Sequence, residues 1–249
     1  MKIAIAGGTG VVGRHVTTAV AALGHEPIVL ARSTGFDLTS GRGLGAALEG
    51  VASVIDVTSI QTRSPEVSTN FFSTVTHNLL AAEESTGVSH HVVLGIVGSD
   101  KAPLDYYAGK VEQERLVGAG PVPWTILRAT QFHEFAAQIY GQAQLGPVGL
   151  IPTMRSQPVA ARQVAERLAS LAAGNAQGRV ADLAGPEVLR MIDMVRQYLL
   201  ASGRRGFVMQ VPLPGGFGKA LRDGTLIPTD NFEVASQTFA QWLKSTDLS

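Results

Sequence analysis

The sequence has 249 residues, 20 basic and 20 acidic side chains, no cysteine and 45% hydrophobic residues. That suits one large α/β domain with a full core, or one domain plus a small appendage. It excludes a disulfide framework, a thiolate metal site and a thiol nucleophile, and the balanced charge leaves no electrostatic footprint for nucleic acid. The six histidines are scattered with no metal-ligand spacing. No apolar run approaches the ~20 residues of a membrane span. The expected partner is a small-molecule substrate, not a nucleic acid or a membrane.

The first residues read as a strand that starts at once, without the long apolar segment of a signal peptide, which predicts a cytoplasmic protein. Strands are expected at 3–6, 27–32, 53–58, 91–96 and 124–128, each nearly all apolar, as strands buried on both faces are. Helical patterns at 11–23, 67–86 and 106–119 lie between them, followed by Gly24, Gly87 and Gly120, where left-handed caps are wanted. A brief extra strand fits Phe36-Asp37-Leu38. This alternation predicts βαβ units and a parallel sheet.

After about residue 130 glycines and prolines punctuate shorter segments, with helical patterns at 161–173, 188–202 and 232–243. This half is expected to be a smaller cap. Ligands in open α/β sheets bind at the strands' carboxyl ends, so the cap should cover the substrate. The predicted organisation is a core over 1–130 and a substrate-binding cap over 131–249, interleaved with that core.

The first strand runs into Gly7-Gly8-Thr9-Gly10-Val11-Val12-Gly13, with glycines spaced GxxGxxG. This is the physics of a Rossmann turn, and it predicts a doubly wound, Rossmann-type α/β fold. One glycine permits the tight turn, the next admits a pyrophosphate, and the third lets helix and strand pack closely. The helix N-terminus at Val11 and Val12 offers N–H groups and a positive dipole end to the anion. Thr9 can add a hydroxyl. The second strand ends at Arg32-Ser33, where an NAD-selective fold tends to place an acid. A guanidinium there suits a 2′-phosphate, so the expected cofactor is NADP(H).

Together the glycine turn, Ala31-Arg32-Ser33, Tyr106-Tyr107-Ala108-Gly109-Lys110, Trp124-Thr125-Ile126-Leu127-Arg128-Ala129-Thr130 and Gln157-Pro158-Val159-Ala160 resemble the atypical short-chain dehydrogenase/reductase family, in its NmrA-like branch. The resemblance spans nearly the whole chain. It implies NADPH-dependent reduction of carbonyls, quinones or enones, although the branch also holds cofactor-binding regulators without turnover. It places Thr58 and Ser59 beside the cofactor ribose, and Thr130, Gln131 and Phe132 near the nicotinamide.

In this superfamily a tyrosine in a YxxxK arrangement usually supplies the proton. Tyr106 and Lys110 have that spacing, and positions i and i+4 share a helix face. A lysine ammonium beside a phenol lowers its pKa from ~10; the same lysine can hold the nicotinamide ribose. Tyr107 competes with Tyr106 for the role. The superfamily's serine at the end of the next strand falls on Gly95, which has no side-chain donor, and Ser99 lies further along. Three explanations fit: the substrate brings its own acidic group; Gln131, His133 or Ser99 donates; or catalysis is absent. Glu134, Arg155 and Gln157 are further polar candidates, and Phe207-Val208-Met209 with the 212–217 loop can form an apolar wall. Two functions follow. One is an NADPH-dependent ketoreductase-type enzyme for a ketone, quinone, aromatic or polyketide-like substrate, with substrate-assisted protonation as one route. The other is a non-catalytic NADP(H) redox sensor acting through a protein partner.

Overall fold

The computed structural model describes residues 1–146 and 148–246. The chain forms two compact units, one of Met1–Arg128 and Arg162–Ala181, the other of Ala129–Ala161 and Asp182–Ser249. The first unit begins β1 (Lys2–Ala6), α1 (Val11–Ala22), β2 (Glu26–Leu30), α2 (Leu44–Ala47), β3 (Val51–Asp56), α3 (Pro65–Thr86), β4 (His90–Ile96), α4 (Tyr106–Ala119) and β5 (Trp124–Ala129). The chain then gives α5 (Phe135–Gln142), β6 (Gln144–Leu145), β7 (Val148–Pro152) and β8 (Arg155–Ser156) to the second unit. It returns to the first for α6 (Ala161–Ala172) and β9 (Gly178–Arg179). It completes the second with β10 (Asp182–Ala184), β11 (Leu189–Arg190), α7 (Met191–Ala201), β12 (Phe207–Val211), α8 (Gly215–Asp223), β13 (Phe232–Val234) and α9 (Phe239–Ser245).

In the first unit the strand order is β2-β1-β3-β4-β5, with β9 beside β5. The pairs β1–β2, β1–β3, β3–β4 and β5–β9 are parallel. This is the expected doubly wound, Rossmann-type sheet. The strand order reverses at β1, so the carboxyl ends of β1 and β3 frame the switch point where such sheets bind ligands. Ala4, Ala6, Leu30, Val51 and Val54 of the sheet pack with Leu44, Val75 and Leu79 of the helices in one buried cluster. Ser53 Oγ donates to the Ala172 carbonyl at 2.9 Å, which ties the end of α6 to β3.

The helix ends follow local chemistry. Ser64 caps α3 by accepting from the Val67 N–H at 3.2 Å, and Pro65 opens the helix, so α3 starts two residues before the expected 67. Gly87 ends it in the left-handed region. Gly120 departs from expectation: its backbone is extended, and a Cβ there would lie 2.9 Å from Leu80 Cδ1, so close approach to α3 is what requires glycine.

Residues 36–38 are not a strand. The Asp37 carboxylate accepts from the Thr39 N–H and hydroxyl at 3.0 and 2.7 Å, making a turn; Leu38 enters the core and the partly buried Phe36 packs against it.

In the second unit β10 pairs in parallel with β13, and Leu183 with Ala129. The expected helix over 232–243 is therefore a strand, Phe232–Val234, followed by a helix that begins only at Phe239. Thr238 and Gln241 form a reciprocal capping box there. The 188–202 pattern yields the shorter α7, because Leu189 and Arg190 pair with β8. Of the 212–217 loop, residues from Gly215 on belong to α8. Phe207 and Met209 stand exposed on β12, which pairs with β7. Among the described residues no helix is long and apolar enough to cross a membrane.

His133 lies fully buried in the second unit against the rings of Phe239 and Trp242, 5.4 and 5.7 Å between centroids. Its Nε2–H donates to the Gln237 carbonyl at 3.2 Å. Burial lowers its pKa from 6.5 to about 4, against that hydrogen bond. Because the folded-state value is the lower one, its contribution is complete above 6.5 and is lost as pH falls from there toward 4. The loss amounts to about 3 kcal/mol. Denaturant titrations between pH 7 and 4 should show this acid-side decline, and His133→Phe should flatten it. An unchanged slope in the variant would refute the assignment.

Candidate functional site

β1 delivers the chain into the glycine turn, and the structure shows why glycine is needed. Gly7 has φ +81°, and a Cβ on it would lie 3.0 Å from both Thr58 Cα and the Val57 oxygen. The two strand ends at the switch point therefore touch through backbone. A Cβ on Gly13 would lie 2.6 Å from Gly8 Cα and overlap the Gly7 oxygen, so the first turn of α1 sits directly on the glycine loop. Gly10 caps α1 with extended backbone and no side-chain hydrogen bond. The orphan N–H groups of the first helical turn, at Val11, Val12 and Gly13, thus remain for an anion. This cradle, which a Cβ would fill, fits the pyrophosphate of a dinucleotide. Thr9 is exposed at its rim.

Arg32 and Ser33 are exposed in a short 3-10 turn directly after β2. Among the described residues no salt bridge occupies Arg32. It lies near enough to Asp37 for its charge to help hold that carboxyl low, behind the larger effect of the Thr39 hydrogen bonds.

β3 ends in Asp56, fully buried. Its Oδ1 accepts from the Thr58 N–H at 2.8 Å and the Thr58 hydroxyl at 2.7 Å. The Thr58 hydroxyl is thus spent on shaping the strand end. Next to it, Ser59 Oγ lies 3.1 Å from the Tyr106 hydroxyl. A continuous wall therefore runs from Gly7 through Thr58 and Ser59 to Tyr106.

Tyr106 opens α4 immediately after Asp105, a non-glycine residue at φ 49° and ψ −126°. Backbone strain of this kind costs of order 1–3 kcal/mol and clusters at functional sites. Burial pushes the Tyr106 phenol up to about 12, against the Ser59 hydrogen bond. The expected lowering by Lys110 is overturned, because Lys110 points elsewhere. It is 3% exposed, its ammonium donates to Gln113 Oε1, and it stands 4.8 Å from the centroid of the Phe72 ring. Burial brings Lys110 down to about 8, resisted by the charges of Asp56 and Glu114. Tyr107 is half-buried, its ring 6.3 Å from that of Tyr106.

Gly95 and Ser99 are engaged in structure. A Cβ on Gly95 would lie 2.8 Å from Arg128 Cγ and overlap Glu114 Oε1. Arg128 holds Glu114 by contacts of 2.7 and 3.0 Å and Asp100 at 2.8 Å. Ser99 is buried, and its hydroxyl donates to the Ile96 carbonyl at 2.9 Å.

Thr130, Gln131 and His133 belong to the second unit. Thr130 Oγ1 donates to the Gln157 carbonyl at 2.6 Å, and Gln157 Nε2 donates to the Gly185 carbonyl at 2.8 Å. Gln131 Oε1 accepts from Ser156 Oγ at 3.0 Å, while its buried Nε2 has no partner among the described residues. That orphaned donor can serve a ligand acceptor. His133 is a core residue by its packing. Burial raises the pKa of Glu134, against the Trp242 and backbone hydrogen bonds. Arg155 is exposed on β8.

The sequence reading missed Asp56, Gln113, Glu114 and Arg128. Two signals existed. Asp56 is an acid inside an otherwise apolar strand, and Gln113 and Glu114 stand three and four positions after Lys110, on its helix face.

The fold is the one shared by nicotinamide-dependent short-chain dehydrogenase/reductase proteins and nucleotide-sugar epimerases. No protein-family model matches the chain, and no curated protein sequence matches it. Solved structures do. A short-chain dehydrogenase/reductase superfamily protein from Agrobacterium tumefaciens with bound NAD aligns at TM-score 0.69 and 19% identity, over 98% of this chain and 95% of that one. A nucleoside-diphosphate-sugar epimerase from Staphylococcus aureus aligns at 0.69 and 17% identity, over 98% and 100%. An NADPH-dependent quinone oxidoreductase from Escherichia coli aligns at 0.66 and 17% identity, over 97% and 98%.

Proposed function

We propose that this protein is an NADPH-dependent oxidoreductase of the atypical short-chain dehydrogenase/reductase type, NmrA-like, that reduces a conjugated carbonyl such as a quinone. The observation that carries the reading is the unbroken wall from the glycine cradle through Thr58 and Ser59 to Tyr106. When bound, the nicotinamide supplies a hydride. The cradle holds the pyrophosphate, and Arg32 with Ser33 takes the 2′-phosphate. Tyr106, a neutral phenol with its pKa about 12, donates a hydrogen bond to the substrate oxygen without giving up its proton. A quinone suits such a site, because its reduced oxygen is itself a phenolate with pKa near ~10 and needs no strong acid. Proton delivery from water then completes the product.

Oxidation of NADPH and NADH against a panel of quinones and ketones tests this reading. Quinone-dependent turnover is expected, with NADPH favoured by roughly 10- to 100-fold, the worth of a charge-assisted bidentate contact. Arg32→Ala should erase that preference, and Tyr106→Phe should slow turnover only modestly. Equal affinity of the unaltered protein for the two cofactors would sink the Arg32 assignment. Tight NADPH binding with no turnover on any substrate would favour a redox sensor acting through a protein partner.

A further inference from the structure

Asp56, Gln113 and Lys110 form a buried bridge beneath the nucleotide cradle. Gln113 is fully buried on α4. Its Nε2 donates to Asp56 Oδ2 at 2.8 Å, and its Oε1 accepts from Lys110 Nζ. The direction of the amide is forced. A carboxylate offers only acceptors, and Oδ1 already takes both Thr58 donors, so the amide NH2 must face Asp56. Its carbonyl end must then meet a donor, and the Lys110 amine is that donor. The reversed amide would set carbonyl against carboxylate and NH2 against ammonium.

We propose that Gln113 is a positioning residue: it fixes the place of the Lys110 amine and couples it, through Asp56, to the Thr58 wall of the cradle. The proposal rests on the proposed NADPH-binding reading, in which Lys110, though turned inward to Gln113, is the lysine that the family resemblance sets beside the nicotinamide ribose. The bridge gives the cradle and the lysine one shared hydrogen-bonded support, so a shift of the strand end at Thr58 reaches the amine through Asp56 and Gln113.

The charges of Glu114 on its own helix and Asp56 on β3 act on the amine, and the lysine charge in turn acts on His91 of β4. On α3 stand the Phe72 ring and Glu83, which pairs with His91 at 2.8 Å. Changing the charge of the bridge should therefore move the amine's titration.

The test reads that titration directly. Lys110 acylation by acetic anhydride is followed against pH by peptide mass spectrometry on the full chain, first without cofactor. The unaltered protein should show a midpoint about 8. Gln113→Glu sets a second carboxyl against the amine and should raise the midpoint by about one unit. Asp56→Asn removes the charge at nearly constant volume and should lower it, and this variant carries the test if Gln113→Glu does not fold. Both substitutions also act by charge alone, so the neutral, near-isosteric Gln113→Met isolates the amide: removing the acceptor at the amine should lower the midpoint, and an unchanged midpoint in that folded variant would overturn the proposal. NADPH should also slow acylation of Lys110 in the unaltered protein. Shifted midpoints without such protection would support the bridge and overturn the cofactor-side reading of Lys110, so the two failures are distinguishable.

Discussion

Gly13→Ala should lose NADPH affinity by about 100-fold or more. The added Cβ falls 2.6 Å from Gly8 Cα and overlaps the Gly7 oxygen. Neither neighbour can retreat freely. Gly7 is pinned from behind by Thr58 and Val57, its N–H donates to the Leu30 carbonyl at 2.9 Å, and its own carbonyl accepts from the Gly10 N–H at 3.0 Å. Space must come from lifting α1 off the loop, which carries the helix N–H groups away from the pyrophosphate. Overpacking of this kind costs about 1–3 kcal/mol, and 3 kcal/mol is roughly a 100-fold change in binding. Gly10→Ala separates folding from binding, because its Cβ meets only the Gly7 oxygen at 3.3 Å. That variant should melt close to the unaltered protein and still bind NADPH weakly, since the methyl enters the anion's space. Calorimetric titration with NADPH and thermal melts of both variants check this. Undiminished NADPH binding by both would remove the cradle from the functional site.

The parts of the fold legible in the sequence are those fixed by neighbours in the chain. Strands buried on both faces read as apolar runs, and β1, β3, β4 and β5 fall within two residues of their expected positions. The glycine turn is legible because its demands arise within seven residues. The extra strand at 36–38 fails for an equally local reason, since the Asp37 side chain bonds its own backbone two residues on and turns the chain before it can extend. Residues 232–234 fail for a non-local one. Their apolar spacing also suits a helix, and pairing with β10 decides for a strand.

The candidate site divides in the same way. Its anion cradle is a local motif. The setting of Lys110 depends on Asp56, far from Gln113 in the chain, and no spacing rule joins them. Tyr106 and Lys110 share a helix face as the i, i+4 rule requires, yet their polar ends part. Ser59 claims the phenol and Gln113 claims the amine. Sequence spacing states which side chains can meet, and competing partners determine which of them do.

Gly95 shows the consequence most sharply. By family resemblance this position wants a serine, and Gly95→Ser is the natural repair of a missing donor. The structure predicts that the repair fails: the variant should be less stable by about 3 kcal/mol and gain no turnover. The space a side chain would use is already filled by the Glu114 carboxylate and the Arg128 stem. These two form a buried ion pair, with Arg128 reaching on to the partly exposed Asp100. Burial alone would lift the Asp100 carboxyl, but the Arg128 contact holds it below its ordinary value. A seryl side chain must push this pair apart, and breaking one side of a buried pair costs about 3–5 kcal/mol because it leaves a charge uncompensated. At this chain length 3 kcal/mol is roughly 6–12 °C in melting temperature. Glu114→Ala alone should also destabilise, by stranding Arg128. The double variant should cost less than the two singles summed, since each removes the other's conflict. A Gly95→Ser protein that melts normally and turns over a carbonyl substrate faster would instead show that position 95 is open to the substrate. Because the Glu114–Arg128 pair fills the space at position 95, the donor that the resemblance puts there must be sought at Tyr106 or in the substrate's own acidity.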